Sequence, residues 1–418
     1  MIAVTSVLDF QNKKINSEEI KKRADELRDE VVKVRRWLHQ HAEVSWKEYE
    51  STEYITAYLE NLGLEVHHYP DHTGCWTMIE GGQCSPESKT ILLRADFDAL
   101  PIQEETGESF ASIHPGVFHG CGHEMHAAML LVACKILVEK KEQLPGKVKV
   151  LFQAAEETAN GAEYYVNQGI LDGVDAAYGC HVSSWLESGK IAVNPGPRSA
   201  STDEFYIKVQ GNGCHGGMPH QGKDALVTAC AIVNSLQTIV SRNIDPIDTL
   251  VITVGTIHSG SNYNVVANTA TMSGTVRTYS QEVRNGVAEK MRRVAEYTAK
   301  AYGCTAEVEY VMKTGAVIHD DPDMCRIAHD AAVKIFGEED VIETRPVGGG
   351  DDFAYFSEKV PGIYAFIGAA KPSDDGEIHG HHHPKVRFNE SVLPAGVAMH
   401  VQMAFDYLGD GTMKEKKI

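Results

Sequence analysis

The sequence is short of positive charge. Its 418 residues include 39 lysines and arginines against 58 aspartates and glutamates, which gives a formal net charge of −19. A surface this acidic repels phosphate backbones and anionic lipids, so we expect no nucleic-acid partner and no membrane partner. Hydrophobic residues make up 43% of the chain and charged residues 23%, which is typical of a globular protein.

Long apolar runs and features of secreted proteins are also missing. The longest apolar stretch, 125–138, is interrupted by Lys135 and is shorter than the roughly 18–20 residues that a membrane span needs. The amino terminus has no basic run ahead of an apolar core, unlike a secretory signal. The nine cysteines contain no C-x-x-C pair, which argues against a disulfide framework. We therefore expect a soluble, cytoplasmic protein.

Short apolar runs alternate with helical patterns through much of the chain. The runs are nearly continuous, as in parallel strands buried on both faces, and they cover 90–95, 148–153, 176–179 and 363–367. This alternation predicts an α/β fold with a doubly wound, mostly parallel sheet and helices on both faces. One amphipathic helix is predicted to begin at Ser17, as the capping residue, and to continue through Leu38.

Residues 199–315 have a different pattern. Strand-like alternation and helical periodicity follow one another in the order βαββαβ, which is the order of a ferredoxin-like unit. The predicted elements are 204–210, 224–241, 249–258, 269–278, 282–302 and 306–312. The region is flanked by NPGPRSAS at 194–201 and KTGAV at 313–317, which are suited to linkers. We expect a discontinuous domain of residues 1–198 and 316–418, with residues 199–315 inserted as a second domain.

Polar residues follow three of the apolar runs. Asp96 and Asp98 come after the first run, Glu156 and Glu157 after the second, and His181 after the third. Ligands of such sheets collect beyond the carboxyl ends of the strands. Two adjacent carboxylates repel each other unless a cation or a retained proton relieves them, so one of the pair could bind a metal while the other accepts a proton. An ordinary solvated pair is the alternative.

The strongest local signal is the segment 119–126, HGCGHEMH, which precedes a helical run at 127–140. Cys121 and His123 could point into one site from a turn ahead of that helix. A thiolate and an imidazole suit zinc, or manganese, cobalt or nickel where carboxylates complete the set. A glycine-rich loop with a buried free cysteine is the alternative. No G-x-S-x-G elbow, Walker loop or H-E-x-x-H motif is present, which argues against covalent catalysis and nucleotide binding.

Six segments occur in the order found in the M20 metallopeptidase family: RADFDALP, HGCGHE-x-H, FQ-x-AEE, GCHV, HGGMPH and HHP-x-x-RFNE. The chain most resembles the amidohydrolase branch, which contains hippurate, auxin-conjugate and other N-acyl-amino-acid hydrolases and aminobenzoyl-glutamate hydrolase subunits. The resemblance runs from about Arg35 to Glu390. It implies hydrolysis of the amide bond of a small N-acyl amino acid or related conjugate, with two divalent metal ions (Mn, Zn, Co or Ni) as cofactors.

The resemblance also implies roles for individual residues. The implied metal ligands are Cys121, His123, Glu157, His181 and His382, with Cys121 bridging both ions. His382 is chosen among four nearby histidines because it fits the pattern His-x-Pro. Glu156 would be the general base with Asp98 as its neighbour, His215 would polarise the scissile carbonyl, and Asn264 and Arg277 would hold the substrate carboxylate.

The inserted domain resembles the lid of this family, which often mediates dimers, so a homodimer or a higher homo-oligomer is expected. A dipeptidase or carboxypeptidase of the same family, and a non-enzymatic metal-binding regulatory protein, are the alternatives. The sequence departs from the common family pattern at Glu124, where an aspartate is usual, and at Asp351, where a glutamate is usual.

Overall fold

A computed structural model describes residues 16–410 of the protein. Its helices, in chain order, are α1 (Ser17–Glu26), α2 (Arg28–Gln40), α3 (Tyr49–Asn61), α4 (His123–Glu139), α5 (Gly161–Asn167), α6 (Ala225–Arg242), α7 (Gln281–Ala301), α8 (Pro322–Phe336), α9 (Ala354–Ser357) and α10 (Leu393–Gly409). Its strands are β1 (Val66–Tyr69), β2 (His72–Glu80), β3 (Thr90–Asp96), β4 (Lys147–Gln153), β5 (Ala176–Ser183), β6 (Ile191–Ala192), β7 (Gly196–Ser199), β8 (Asp203–Gln210), β9 (Leu250–Ser259), β10 (Thr269–Thr278), β11 (Thr305–Val311), β12 (Val317–His319), β13 (Gly362–Gly368), β14 (Ala370–Lys371) and β15 (Arg387–Phe388).

Seven of these strands form the largest sheet, in the order β1-β2-β4-β3-β5-β13-β6. The four strands β4, β3, β5 and β13 run parallel, whereas the pairings nearer the two edges are antiparallel. The four runs predicted from their apolar composition are these four parallel strands. The predicted mostly parallel sheet is therefore confirmed.

Both faces of the sheet are covered. Ile91 and Leu93 of β3 point into a core that includes residues of α1, α2, α4, α8 and α10, whereas Leu92 between them points into a second core with residues of α5 and α9. Successive side chains of a strand point to opposite faces, so a strand between two cores must be apolar throughout. This requirement explains the continuous apolar runs and the doubly wound architecture.

The inserted part forms its own antiparallel sheet in the order β11-β8-β10-β9, with α6 and α7 contributing to a separate core. The six predicted elements are present in the predicted order, and β10 has the predicted bounds. Asp224 caps α6 because its carboxylate accepts the N–H groups of Leu226 and Val227. Of the helices in residues 16–410, α6 alone is long and apolar enough to cross a membrane by composition, yet its Ile232 and Leu236 pack into the core beside the four-stranded sheet.

The two chain crossings between the sheets lie side by side. The N–H of Thr202 donates to the carbonyl oxygen of Thr314 at 3.1 Å, and the two threonine hydroxyls are 2.7 Å apart. The chain thus leaves the large sheet and returns to it along neighbouring paths, which also pair as β7 and β12.

The single amino-terminal helix predicted from Ser17 is wrong in two respects. Asn16, rather than Ser17, is the capping residue, since its side chain accepts the N–H of Glu18. The helix is also broken at Leu27, where φ is −95° and ψ is 11°. The two halves pack on different partners, α1 chiefly on α10 and α2 chiefly on α4, and the bend between them accommodates both contacts.

Candidate metal centre

The ends of three adjacent parallel strands bring the predicted residues together. Asp98 follows β3, Glu156 and Glu157 follow β4, and His181 lies near the end of β5. Because β4, β3 and β5 are neighbours and run parallel, their carboxyl ends meet at one edge of the sheet.

The loop carrying Cys121 and His123 reaches the same edge and depends on a glycine. Gly122 has a φ of 89°, in the left-handed region, and a Cβ at this position would lie 2.6 Å from Cγ2 of Val182. Only glycine meets both the conformational and the spatial requirement. Helix α4 begins at His123 itself, four residues earlier than the predicted helical run. Cys121 is therefore presented from the loop and His123 from the first turn of the helix.

Two of the groups of possible metal-binding atoms share the Cys121 sulfur, one with His123 and Glu157 and the other with His181 and His381. In the first group, the ligand atoms of Cys121, His123 and Glu157 lie within 4.8 Å of one another, and Nε2 of His382 is 3.6 Å from Oε1 of Glu157. In the second group, Sγ of Cys121 is 3.4 Å from Nε2 of His181. All five side chains that the family resemblance implied as ligands thus surround one point.

The hydrogen bonds of two histidines leave Nε2 available. Nδ1 of His123 is 3.1 Å from the carbonyl oxygen of Asp98, and Nδ1 of His181 is 2.6 Å from that of Val182. A carbonyl oxygen can only accept, so each Nδ1 carries the proton and each Nε2 presents a lone pair. Nε2 of His123 is buried and has no hydrogen-bond partner within residues 16–410. An imidazole held in this way is suited to bind a metal ion through Nε2.

His381 lies close to the centre but differs from these histidines. Its Nε2 accepts the N–H of Ser184 at 3.1 Å, and its Nδ1 is 3.2 Å from the carbonyl oxygen of Cys121. Both ring nitrogens are therefore engaged with the backbone, and no lone pair remains for an ion. This arrangement favours His382 over His381 as the ligand from the carboxyl-terminal cluster.

His126 has a supporting position that the sequence did not indicate. Its Nε2 accepts the N–H of Val182 at 2.9 Å, and its Nδ1 contacts the Asp96 carboxylate at 2.5 Å. The other oxygen of Asp96 lies 2.6 Å from the Arg94 guanidinium. These buried contacts fix the ends of β3 and β5 relative to α4.

Asp98 contacts His123 and the backbone of Glu157, whereas the family resemblance implied a place beside Glu156. One carboxylate oxygen is 3.2 Å from Nδ1 of His123, and the other accepts the N–H of Glu157 at 3.1 Å and the hydroxyl of Ser45 at 2.7 Å. Asp98 therefore orients one candidate ligand and positions the backbone of another.

Burial and neighbouring carboxylates raise the pKa of both adjacent glutamates. Burial raises the pKa of Glu157 to about 7. Burial, and then the negative charge of Asp351, raise the pKa of Glu156 well above its ordinary range. A cation at this point would relieve the repulsion and restore the ionised forms. The orphaned Nε2 of His123, the unpartnered Oε1 of Glu157 and the thiol, imidazole and carboxylate donors fit divalent metal ions.

The backbone around these residues adopts strained conformations. Ala155, Ala159 and His382 have φ values of 60°, 57° and 66°, in the left-handed region that non-glycine residues rarely occupy. The N–H of Ala155 donates to the buried carboxyl group of Glu48 at 2.9 Å. This contact helps to hold the turn that presents the two glutamates.

A buried ionic network lies beneath the loop. The Glu124 carboxylate accepts hydrogen bonds from Nε of Arg35 at 3.0 Å and contacts Nδ1 of His39 at 2.9 Å. Arg35 also lies 3.3 Å from Glu390. Burial opposes the ionised form of Glu124, but Arg35, His39 and His119 together outweigh it, and the pKa of this carboxyl is lowered. The network joins α2 to the first turn of α4.

The centre opens into a cavity of about 640 Å³ between the two sheets. Arg277 on β10 lines this cavity, as do Gly349 and Gly350 of a loop with three consecutive glycines at 348–350. His215 and Asn264 are exposed on the lid and do not line it. Their segments lie beside each other, since the N–H of residue 216 donates to the Asn264 carbonyl oxygen at 2.7 Å. The structure therefore brings Arg277, but not His215 or Asn264, to the centre of the same chain.

The fold and this set of side chains define a metal-dependent hydrolase. The sequence matches the family described as Peptidase family M20/M25/M40 over residues 92–406, and the chain belongs to that family. The resemblance inferred from the six motifs is confirmed, together with the predicted class of enzyme, a hydrolase of amide bonds.

Three similar proteins illustrate the range of the family. The chain is 38% identical to N-acetyl-L-cysteine deacetylase of Bacillus subtilis over 367 residues, covering 88% of this chain and 85% of the relative. It is 35% identical to Thermostable carboxypeptidase 2 of Saccharolobus solfataricus over 394 residues, covering 93% of this chain and 98% of the relative. The crystal structure of the YXEP protein of Bacillus subtilis, described as a dinuclear metal-binding peptidase of the M20 family, has a TM-score of 0.80 and 32% identity, covering 92% of this chain and 99% of that one.

Proposed function

We propose that this protein hydrolyses the amide bond of N-acyl amino acids or related amino-acid conjugates, using two divalent metal ions. The observation that carries the proposal is the pair of ligand groups sharing Cys121, with a further carboxylate, Glu156, whose Oε2 is 4.0 Å from Nε2 of His123. The similarity to an N-acetyl-L-cysteine deacetylase supports the substrate class.

The proposed ligands are Cys121, His123, Glu157, His181 and His382. We take the ions to be manganese, zinc, cobalt or nickel. When bound, such ions lower the pKa of water and withdraw charge from the amide carbonyl. Glu156 remains free to move protons. Its carboxylate accepts a proton from the attacking water and delivers it to the leaving amine nitrogen. Asp98 keeps the imidazole of His123 in the orientation and tautomer that binding needs.

Arg277 is proposed to bind the carboxylate of the substrate. Its guanidinium lines the cavity and makes no side-chain hydrogen bond to any of residues 16–410. A guanidinium can grip a carboxylate through two parallel hydrogen bonds, which favours acylated amino acids over simple amides.

We propose that residues 199–315 form the lid and that the lid also forms a homodimer. The contact between Thr202 and Thr314 supports these boundaries. β9 is the edge strand of the lid sheet, and Leu226 and Val227 of the neighbouring helix α6 are exposed. Free strand edges and exposed apolar side chains are features of association surfaces.

In such a dimer, His215 and Asn264 would complete the site of the partner subunit, since both are exposed on the lid and lie outside the cavity of their own chain. Mixing two inactive variants, Glu156→Gln and His215→Ala, tests this arrangement. A site with both native residues forms in the mixed dimer only if His215 acts across the interface. Activity in the mixture supports this arrangement, and a mixture that stays inactive refutes it.

We also propose a cytoplasmic location. All nine cysteines lie within the described residues and none forms a disulfide, which fits a reducing compartment.

The proposed reaction is tested with N-acetyl and N-benzoyl amino acids and dipeptides, assayed with added Mn²⁺, Co²⁺, Ni²⁺ or Zn²⁺ and after chelation. We expect metal-restored hydrolysis of the N-acyl amino acids. Glu156→Gln should keep its metal and lose turnover by several orders of magnitude, whereas Cys121→Ala should lose metal in elemental analysis. No metal-restored hydrolysis of any compound, or full turnover in Glu156→Gln, would refute the proposal.

The similarity to a carboxypeptidase favours a second candidate function, hydrolysis of the terminal peptide bond of short peptides. Faster cleavage of dipeptides than of N-acyl amino acids in the same panel would select this function.

A further inference from the structure

A second cavity, of about 450 Å³, lies outside the metal centre. Within residues 16–410, none of the residues that line it also lines the cavity at the proposed ligands. It is formed by one face of α3, by the turn between β1 and β2 at 68–73, and by Trp46. Its volume is in the range of small-molecule sites. The lining positions on α3 are spaced i, i+3, i+4 and i+7, as residues of one helical face are: Tyr49, Thr52, Glu53 and Thr56.

Aromatic rings make up much of this lining. The rings of Trp46 and His72 are 4.2 Å apart, and the ring of Tyr164 meets that of His72 edge-on at 4.3 Å. Tyr69 also lines the cavity and pairs with His72 across the turn. Tyr49 is 67% exposed, so its ring is open to solvent. The face of an aromatic ring carries partial negative charge and attracts a cation.

The charged side chains of the cavity have the same preference. Glu53 and Asp71 line it, whereas no lysine or arginine of residues 16–410 does. Both acidic residues are exposed, and neither forms an ion pair with another residue of the described chain. Two carboxylates without a counter-charge, placed beside exposed aromatic rings, attract a positively charged group and repel an anion.

Trp46 is held rigidly between this cavity and the metal centre. Its φ of 63° lies in the left-handed region, where a non-glycine residue costs free energy. Its Nε1 donates to Oδ1 of Asn160 at 3.2 Å, and the same oxygen accepts the hydroxyl of Thr158 at 2.6 Å. Thr158 lines the cavity at the metal centre. A ligand of the second cavity would therefore meet a preformed indole surface, without first paying to order it.

We infer that the second cavity binds a small organic cation, with an alkylammonium group as the chemistry that fits it. The cationic group would contact the rings of Trp46 and Tyr49, and the carboxylates of Glu53 and Asp71 would balance its charge. The inference does not depend on the proposed reaction, since no residue of this lining is a proposed ligand or base.

NMR titration with choline tests the inference on the full-length protein saturated with zinc. Zinc is diamagnetic, and the quaternary nitrogen of choline has no lone pair with which to bind it. The neutral compound 3,3-dimethylbutan-1-ol has the same shape without the charge. About 150 mM sodium chloride in every sample screens the general attraction of a chain with net charge −19. We expect the methyl resonance of choline to broaden, and choline to bind ~5-fold or more tightly than the alcohol.

Two variants locate the binding. Tyr49→Leu removes one ring and Glu53→Gln one carboxylate, and because both side chains are exposed, both variants should fold. Each should weaken choline binding by ~3-fold. Glu60→Gln, on α3 but outside the cavity, and Tyr297→Leu, on α7 with the same 67% exposure, are the matched controls and should bind choline like the native protein.

Two results would overturn the inference. Equal binding of choline and the neutral alcohol would show that the cavity does not select a cation. The same choline affinity in the native protein, Tyr49→Leu and Glu53→Gln would assign the binding to the acidic surface as a whole. Either result leaves the proposed hydrolysis untouched, because the titration measures no turnover.

Discussion

The network beneath the metal loop gives a quantitative prediction for Arg35→Met. Removing Arg35 leaves the Glu124 carboxylate fully buried, with Nδ1 of His39 at 2.9 Å and Nδ1 of His119 at 3.7 Å as its remaining partners. Breaking a buried ion pair from one side costs about 3–5 kcal/mol, and we expect about 3 kcal/mol because His39 still contacts the carboxylate.

Arg36→Met is a matched control. Both guanidinium groups lie over the ring of Phe110, at 4.6 and 4.8 Å, and both contact Glu390, so these losses are similar in the two variants. Arg36, however, is 46% exposed and has no contact with Glu124, and an exposed ion pair contributes only about 0–1 kcal/mol. The difference between the variants therefore reports the buried pair with Glu124, about 2–3 kcal/mol.

Guanidinium denaturation followed by tryptophan fluorescence measures this difference. The four tryptophans, at positions 37, 46, 76 and 185, lie outside the lid sheet, so the signal reports the domain that contains the network. Metal should be removed from all samples so that metal affinity does not contribute to the midpoints. Equal midpoints for Arg35→Met and Arg36→Met would refute the reasoning.

The pH dependence provides an independent check. The pKa of Glu124 is lowered in the folded protein, so its contribution to stability is present above the unfolded pKa of about 4.3 and is lost as the pH falls toward the folded value. The gap between the native protein and Arg35→Met should therefore be larger at pH 7 than at pH 4. A gap of the same size at both values would contradict the assignment to Glu124.

Three further changes have defined outcomes. Burial raises the pKa of Glu48 to about 8, so the folded state retains a proton that the unfolded state releases. The free energy of unfolding should therefore fall between about pH 5 and 8 by up to ~1.4 kcal/mol per pH unit. Glu48→Gln should remove this slope in denaturation curves measured across that range. Gly396→Ala places a Cβ 1.9 Å from Sδ of Met129 and should lower stability by about 1–3 kcal/mol in a thermal melt, whereas Gly409→Ala on the same helix meets no atom within 4 Å and should be tolerated. Asp224→Ala removes the cap of α6 and should cost about 1 kcal/mol by circular dichroism, with most of it recovered in Asp224→Asn.

The large sheet could be predicted because its strands lie between two cores. β3 is buried along its whole length, and Ile91, Leu92 and Leu93 follow one another without a polar residue between them. The break at Leu27 could not be predicted in the same way. Leu27 is itself buried and keeps the period of the apolar stripe, so the sequence pattern continues through a bend that tertiary packing imposes.

The composition of the candidate site was accessible from motifs, but its geometry was not. The pattern His-x-Pro already pointed to His382, but the reason that His381 is excluded, the N–H of Ser184 that its Nε2 accepts, is a contact between residues 197 positions apart. The pairing of Arg35 with Glu124 spans 89 positions. Contacts of this kind arise from the packing of separate elements, and no local spacing in the sequence encodes them.

The hydrogen-bonded crossing at Thr202 and Thr314 has a consequence for the order of folding. β5 pairs with β13 in the large sheet, although the whole lid lies between them in sequence. A lid that folds first brings its own ends together and shortens the connection between these strands to less than half. Because each halving of a flexible loop saves about 0.6 kcal/mol of closure entropy, early folding of the lid lowers the entropic barrier to the pairing of β5 with β13 by roughly 1 kcal/mol. If the lid folds first, lid variants that fold slowly should therefore delay formation of the central sheet.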